Sequence, residues 1–214
     1  MLGFHLGMKT LLEFSYKLFT ESQIDYFIPL FDYRIYADSI IIFCPKQSSD
    51  KGNQIINTLI IDACSNLQCH FLKAEILLRG VITYGNLYVQ QSKMKDFIYG
   101  SGIIKVTEME KNLSIPIIHI DDSIHITDQY TSSYIKRSRN KPRWSLGHID
   151  YLSYFSIRHK STLTKSLKDL LNAHRRTINN FPEFKIRLKK RKEWLTRYHN
   201  DFCNEHSYSD YIII

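Results

Sequence analysis

The stretch YADSIIIF, Tyr36 to Phe43, sets one aspartate between two strand-like runs. Turn chemistry would favour glycine or asparagine at such a junction, so the carboxylate of Asp38 needs a reason. One reason is local, since a turn aspartate bonds its own backbone. The other is that a ligand-binding carboxylate must project from a rigid edge. Tyr84 and Tyr88 could stack on a base, and tyrosines at alternate strand positions equally serve half-buried packing. Gly85 and Gly100 first answer a need for positive φ and only secondarily for ligand approach. His199, Cys203 and His206 in YHNDFCNEH could face one another across helical turns, but a zinc site would need a fourth ligand. No Walker loop, GxSxG or HExxH occurs.

Two basic clusters supply the remaining chemistry. YIKRSRNKPRW carries Lys136, Arg137, Arg139, Lys141 and Arg143. FKIRLKKRKEW carries Lys185, Arg187, Lys189, Lys190, Arg191 and Lys192. The run Lys185 to Lys192 either presents a solvated helix face or attracts phosphate, including that of nucleic acid. Residues 1–120 balance 11 Lys+Arg against 11 Asp+Glu, whereas residues 121–214 hold 18 against 10. The whole excess of +8 lies in the second part. This shift predicts a core unit over residues 1–122 and a basic helical C-terminal region over residues 123–214.

A chain of 214 residues suffices for one sizeable core plus a small appendage. No apolar run reaches the roughly 18 residues of a membrane span, and MLGFHLGMKTLLEF lacks the basic and small-residue features of a signal peptide. The four cysteines form no CxxC pair, which fits a reduced cytoplasm. Helical spacing appears at about 4–20, again through Ile55, Ile56, Leu59, Ile60, Ala63 and Leu67, and again in YGSGIIKVTEMEKN. Residues 31–44 alternate as a hairpin, with Ile40 to Phe43 reading as a strand covered on both faces. AEILLRGVITYGNLYV predicts one strand bent at Gly85, and IPIIHID another. Leucines from Leu163 to Leu171 and from Leu188 to Leu195 predict two further helices. The order predicts an α+β, ferredoxin-like (split βαβ) core that lacks its first strand, with a helical C-terminal appendage.

These residues carry a resemblance. YADSIIIF is similar to the metal-aspartate hairpin of class III nucleotidyl cyclases. LRGVITYG resembles their fourth strand, YGSGIIKVTEMEK the following turn and helix, and MLGFHLGMKTLLEF the segment after their first metal aspartate. The similarity covers roughly residues 1–122 and is greatest to the small bacterial branch that includes the pyrimidine cyclases of Pycsar antiphage systems. It implies a cyclase-type core, a homodimer with sites between subunits, and conversion of a nucleoside triphosphate to a 3′,5′-cyclic nucleotide and pyrophosphate. It further implies Mg²⁺ or Mn²⁺ held by carboxylates from neighbouring strands and a role in antiphage signalling, while the lack of a span-length apolar run separately predicts no membrane partner. By the same resemblance Asp38 is a metal ligand, and Arg79 and Lys105 are catalytic phosphate contacts. Ser39, Tyr84 and Gly85 then contact the nucleotide. Ile104 and Glu108 occupy positions where many such enzymes have asparagine and arginine. The first metal aspartate would precede Met1, so the resemblance implies a shortened reading frame. The alternatives are an inactive cyclase-like protein that binds nucleotide or a partner, and a nucleic-acid-binding protein. For Arg79 a surface ion pair competes with the phosphate contact.

Overall fold

The computed structural model describes residues 26, 28–36, 39–90, 97–137, 142–158, 163–183 and 185–214. The helix predicted over 4–20 lies outside them, as does Asp38. The described chain is mixed α+β. A hairpin of β1 (Asp32–Tyr36) and β2 (Ser39–Phe43) is followed by the long helix α1 (Asp50–Lys73). Then come β3 (Gly80–Ile82), a second hairpin of β4 (Tyr88–Gln90) and β5 (Phe97–Tyr99), and helix α2 (Ser101–Lys111). Strand β6 (Ile118–Asp121), helix α3 (Gln129–Ser133), β7 (Ile135–Lys136) and β8 (Ser145–Ile149) complete the strand-bearing part. Helices α4 (Tyr151–Arg158), α5 (Lys165–Asn179) and α6 (Ile186–Glu205) end the chain before a short 3₁₀ turn at Ser209–Tyr211.

The central sheet has the order β3-β6-β8-β7. Strand β3 is parallel to β6, with Val81 opposite His119, and α2 lies in the connection between them. Strand β8 runs antiparallel to both β6 and β7, with His148 opposite His119 and Lys136. One face therefore presents Ile82, Ile118, Ile120 and Ile149, all buried, to the helices. The core formed with them contains Ile61 and Leu72 of α1, Leu152 and Phe155 of α4, Leu170 and Leu171 of α5, and Phe202 of α6. Both the sheet and this core cross the composition shift at Asp121–Asp122. The shift thus coincides with a change of surface charge inside one core. Strands β7 and β8 and helices α3 and α4 are additions to the helical tail expected after residue 122.

Helix α1 starts where the Ser49 hydroxyl accepts a hydrogen bond from the Gly52 amide at 3.1 Å, and Asp50 favours the positive end of the helix dipole. Its burial extends beyond the leucine and isoleucine stripe to Asn57, Asp62, Asn66 and Gln68. Buried polar groups need partners. The Tyr154 hydroxyl donates to Asp62 at 2.7 Å, and the Asn57 amide donates to the His125 carbonyl at 3.0 Å.

The first hairpin has the expected antiparallel pairing, from Asp32 opposite Phe43 to Tyr36 opposite Ser39. Its base packs Phe31 and Ile42 on Ile55, Ile56 and Leu59 of α1. Among the described residues the covering predicted for β2 is not found: Ile40 is exposed, Ile41 to Phe43 are only partly buried, and Ile35 of β1 is 64% exposed. The unbroken isoleucine run reports β propensity here, not two buried faces. The predicted strand bent at Gly85 is two short strands, β3 and β4, separated by residues 83–87.

Helices α4, α5 and α6 share a buried polar chain. The His199 Nε2–H donates to the Tyr211 carbonyl at 2.8 Å, which leaves Nδ1 as an acceptor. His174 Nδ1 lies 3.1 Å from it and so donates, and His174 Nε2 accepts from the Tyr151 hydroxyl at 3.1 Å. Every site in this chain is satisfied when both imidazoles are neutral. Burial, together with His199 beside it, holds His174 well below its usual range, and burial lowers His199. Next to it Asp150 accepts from Tyr198 at 2.5 Å and Ser153 at 2.7 Å and pairs with Lys136 at 3.0 Å.

Candidate functional site

The parallel strands β3 and β6 end together at Thr83 and Asp121, where open α/β units commonly place ligands. Asp121 is 2% exposed and receives hydrogen bonds from the Thr83 hydroxyl and the Ser123 amide, the latter at 3.1 Å. Lys105, from the second turn of α2, approaches its Oδ2 at 2.5 Å. Burial alone would raise this carboxyl. The Lys105 ammonium and the hydrogen bonds from Thr83 and Ser123 outweigh it and hold the group down at about 2. Asp121 is therefore an anion at all physiological pH values. It anchors a lysine at the strand ends.

Backbone contacts fix this corner. A Cβ on Gly85 would lie 2.4 Å from the Gly102 Cα, and Gly100 has φ of +135° with the Asn86 carbonyl oxygen 2.4 Å from a Cβ position. The Gly102 amide donates to that same carbonyl at 2.9 Å. Glycine is thus required at Gly85 by the approach of two backbones, and at Gly100 by its conformation as well. Tyr84 donates its hydroxyl to Asn57 at 2.7 Å, and burial, the largest cause, raises its pKa. Its ring belongs to the packing around the main core.

The structure gathers Tyr84, Gly85 and Lys105 at this corner. Arg79 sits at the opposite end of β3. There its guanidinium pairs with Glu110 and donates to the Leu113 carbonyl at 3.3 Å. Both cations expected to contact phosphate thus already face carboxylates. Ile104 is 61% exposed and Glu108 is exposed on α2. Ser39 is exposed at the end of β2. Tyr88 is exposed and stacks on Tyr99, with ring centroids 5.4 Å apart.

Asp121 escaped the sequence reading. The only signal was an acidic residue closing the apolar run IPIIHID, in a position shared with the adjacent Asp122. His119 and His148, paired across β6 and β8, escaped it too. Burial, then the charge of His148, pushes His119 down to about 4, and burial lowers His148. His119 Nδ1 lies 3.0 Å from the Ser145 hydroxyl. The expected His199–Cys203 proximity is present at 3.6 Å, whereas His206 turns to the Phe202 carbonyl and ring.

Among the described residues, no group of three His, Cys, Asp or Glu could hold a metal ion. Asp121 is already neutralised by Lys105, so the described donors do not by themselves fit a two-metal centre. No helix among the described residues is long and apolar enough to cross a membrane. Comparison with family models, curated proteins and solved structures finds no match for this chain.

Proposed function

We propose that this chain is a nucleotidyl cyclase-like protein that converts a nucleoside triphosphate to a 3′,5′-cyclic nucleotide and pyrophosphate. In this reading its core is of the ferredoxin-like type and its working form is a cytoplasmic homodimer. Mg²⁺ or Mn²⁺ is the cofactor, Asp38 its ligand, and antiphage signalling the biological setting. The observation that carries the reading is the unit from β3 through the β4–β5 hairpin and the Gly100 turn into α2 and back to β6. It sets Gly85 against Gly102 and Lys105 over the strand ends, in the order that LRGVITYG and YGSGIIKVTEMEK suggested.

Within that reading, Lys105 binds a phosphate oxygen by exchanging Asp121 for it, and Asp121 holds the ammonium in place until then. Gly85 shapes the wall beside the α2 N-terminus, and Tyr84, its ring turned to Asn57 of α1, backs the strand end from the core side.

A second reading has its own support. Arg79 is tied to Glu110 and Lys105 to Asp121, and Ile104 and Glu108 stand where catalytic groups are expected. This favours a protein that binds nucleotide without turning it over. Pyrophosphate release from each of the four ribonucleoside triphosphates with Mn²⁺, for the unaltered chain and Asp38→Asn, tests the first reading. Release lost in the variant supports it. Saturable nucleotide binding without release selects the second reading, and neither binding nor release removes both.

A further inference from the structure

The N-terminal half of α6 holds a basic run that the cyclase reading does not use. Along this helix Arg187, Arg191, Trp194 and Tyr198 recur at i, i+4, i+7 and i+11, so they form one stripe. The stripe reaches the sheet face that carries His119 and His148, and its C-terminal end, Tyr198, is buried in the main core with Trp194 packed against it. Trp194 meets His148 edge-on with ring centroids 6.4 Å apart and stacks on Tyr198 at 5.2 Å. Lys136, opposite His148, sets its ammonium 5.8 Å from the Tyr198 ring centroid. Further along the same row His119 meets Trp144 at 5.7 Å. Arg79 projects on this face as well, two residues before Val81, which pairs with His119. The chain segment leading into β3 and the helix α6 thus bring Arg79 near enough to Arg191 and Arg187 for their charges to be felt there, one helical turn from Trp194.

Like charges are not gathered without a counter-charge. Among the described residues, Glu110 pairs with Arg79. Glu183 pairs with Lys192, and Asp150 with Lys136. The Nε of Arg191 is buried with no hydrogen-bond partner among the described residues. Burial, then the charges of Arg187 and Arg79, hold this guanidinium below its ordinary value. A buried donor left unmade costs free energy that a bound acceptor would recover. An oxyanion with several acceptor oxygens suits three guanidiniums because each can donate in a fork.

We propose that Arg79, Arg187 and Arg191 form a binding site for the phosphate groups of a small phosphorylated molecule, with Trp194 beside it. The ligand chemistry is a di- or polyphosphate, supplied either as an inorganic ion or on a nucleoside. The buried Nε and the neighbouring Trp194 indole describe a local seat for one phosphate cluster, not a track along a nucleic-acid backbone. The inference shares Arg79 with the cyclase reading, but it rests on Arg187, Arg191 and Trp194, which lie outside the part of the chain that carries the resemblance.

Trp194 makes the test direct. Inorganic pyrophosphate, a nucleoside diphosphate and a single-stranded RNA oligomer are titrated into the full chain while tryptophan fluorescence is followed. The proposal expects a saturable change with pyrophosphate or the diphosphate. It expects Arg191→Gln and Arg187→Gln each to weaken binding about tenfold or more, the worth of a charged hydrogen bond. Lys189→Gln, on the opposite side of α6, should change it less than about twofold. Pyrophosphate binding as tight as the diphosphate assigns the inorganic source, and clearly tighter diphosphate binding assigns the nucleoside source. A non-saturating response, parental affinity in Arg187→Gln and Arg191→Gln, or RNA binding alone overturns the proposal. Since Arg187 is exposed, its variant remains foldable even where that of Arg191 is not.

Discussion

Acidification from pH 7.5 to 5.5 should destabilise this protein through the Tyr151–His174–His199–Tyr211 chain. In the fold both imidazoles are neutral, because each ring nitrogen is committed as donor or acceptor. A proton added to His199 Nδ1 or His174 Nε2 would set donor against donor in a site with no water access. In the unfolded chain both histidines titrate near 6.5. Below that value the unfolded state binds more protons than the folded one, so stability is complete above pH 6.5 and falls as the pH drops. For one histidine kept neutral, the fall between pH 7.5 and 5.5 is about 1.4 kcal/mol, and for the pair about 2.7 kcal/mol. His119 and His148, also lowered by burial, act in the same direction. Asp121 and Asp150, whose carboxyls are held down, lose their contributions only in more acid solution. Lys136 is raised, chiefly by Asp150 against the opposing effect of burial, and stays charged throughout. The assay is urea unfolding at pH 7.5, 6.5 and 5.5, followed by circular dichroism. His174→Gln should remove about 1.4 kcal/mol of the pH dependence, whatever it does to stability at pH 7.5. A flat profile in the parent chain, or an unchanged profile in the variant, would refute the neutral-chain argument.

Three other outcomes follow from the corner at the ends of β3 and β6. Gly85→Ala must separate two backbones whose approach leaves 2.4 Å for the new Cβ, so a loss of about 1–3 kcal/mol is expected in urea unfolding. A parental midpoint would contradict the packing. Asp121→Asn leaves Lys105 without its counter-charge and should cost about 1–3 kcal/mol at pH 7, with the difference from the parent narrowing as the pH approaches 2. Equal stability at neutral pH would show that the pair contributes nothing. Asp38→Asn is expected to keep its unfolding midpoint while losing any turnover, because the amide retains shape but lacks the charge a hard cation requires. Undiminished turnover would remove Asp38 from the chemistry.

The helices were legible where one apolar stripe dominates. Leu167, Leu170, Leu171 and Ile178 announce α5, and all four are fully buried. Pairing in the first hairpin was equally legible, because its alternation fixes which residues share a face. Burial was not. Isoleucine is chosen for strand backbone as well as for cores, so IIIF gave the strand and misstated its cover. The strands β7 and β8 escaped notice for a different reason. Ser145, Gly147 and His148 sit inside the sheet, where Ser145 bonds His119 and the Gly147 carbonyl, and no apolar period remains to be seen. At the candidate site the sequence offered the cations Arg79 and Lys105 but not their partners. Glu110 and Asp121 lie 31 and 16 positions further along the chain and meet them only through the crossover of α2.

Mass spectrometry of the product tests the central claim most directly. The chain is incubated with each ribonucleoside triphosphate and Mn²⁺, and the nucleotide formed is identified beside the pyrophosphate released. The cyclase reading predicts a 3′,5′-cyclic monophosphate in amounts equal to pyrophosphate. Linear monophosphate, or no product from any triphosphate under conditions where the chain is folded, would contradict it.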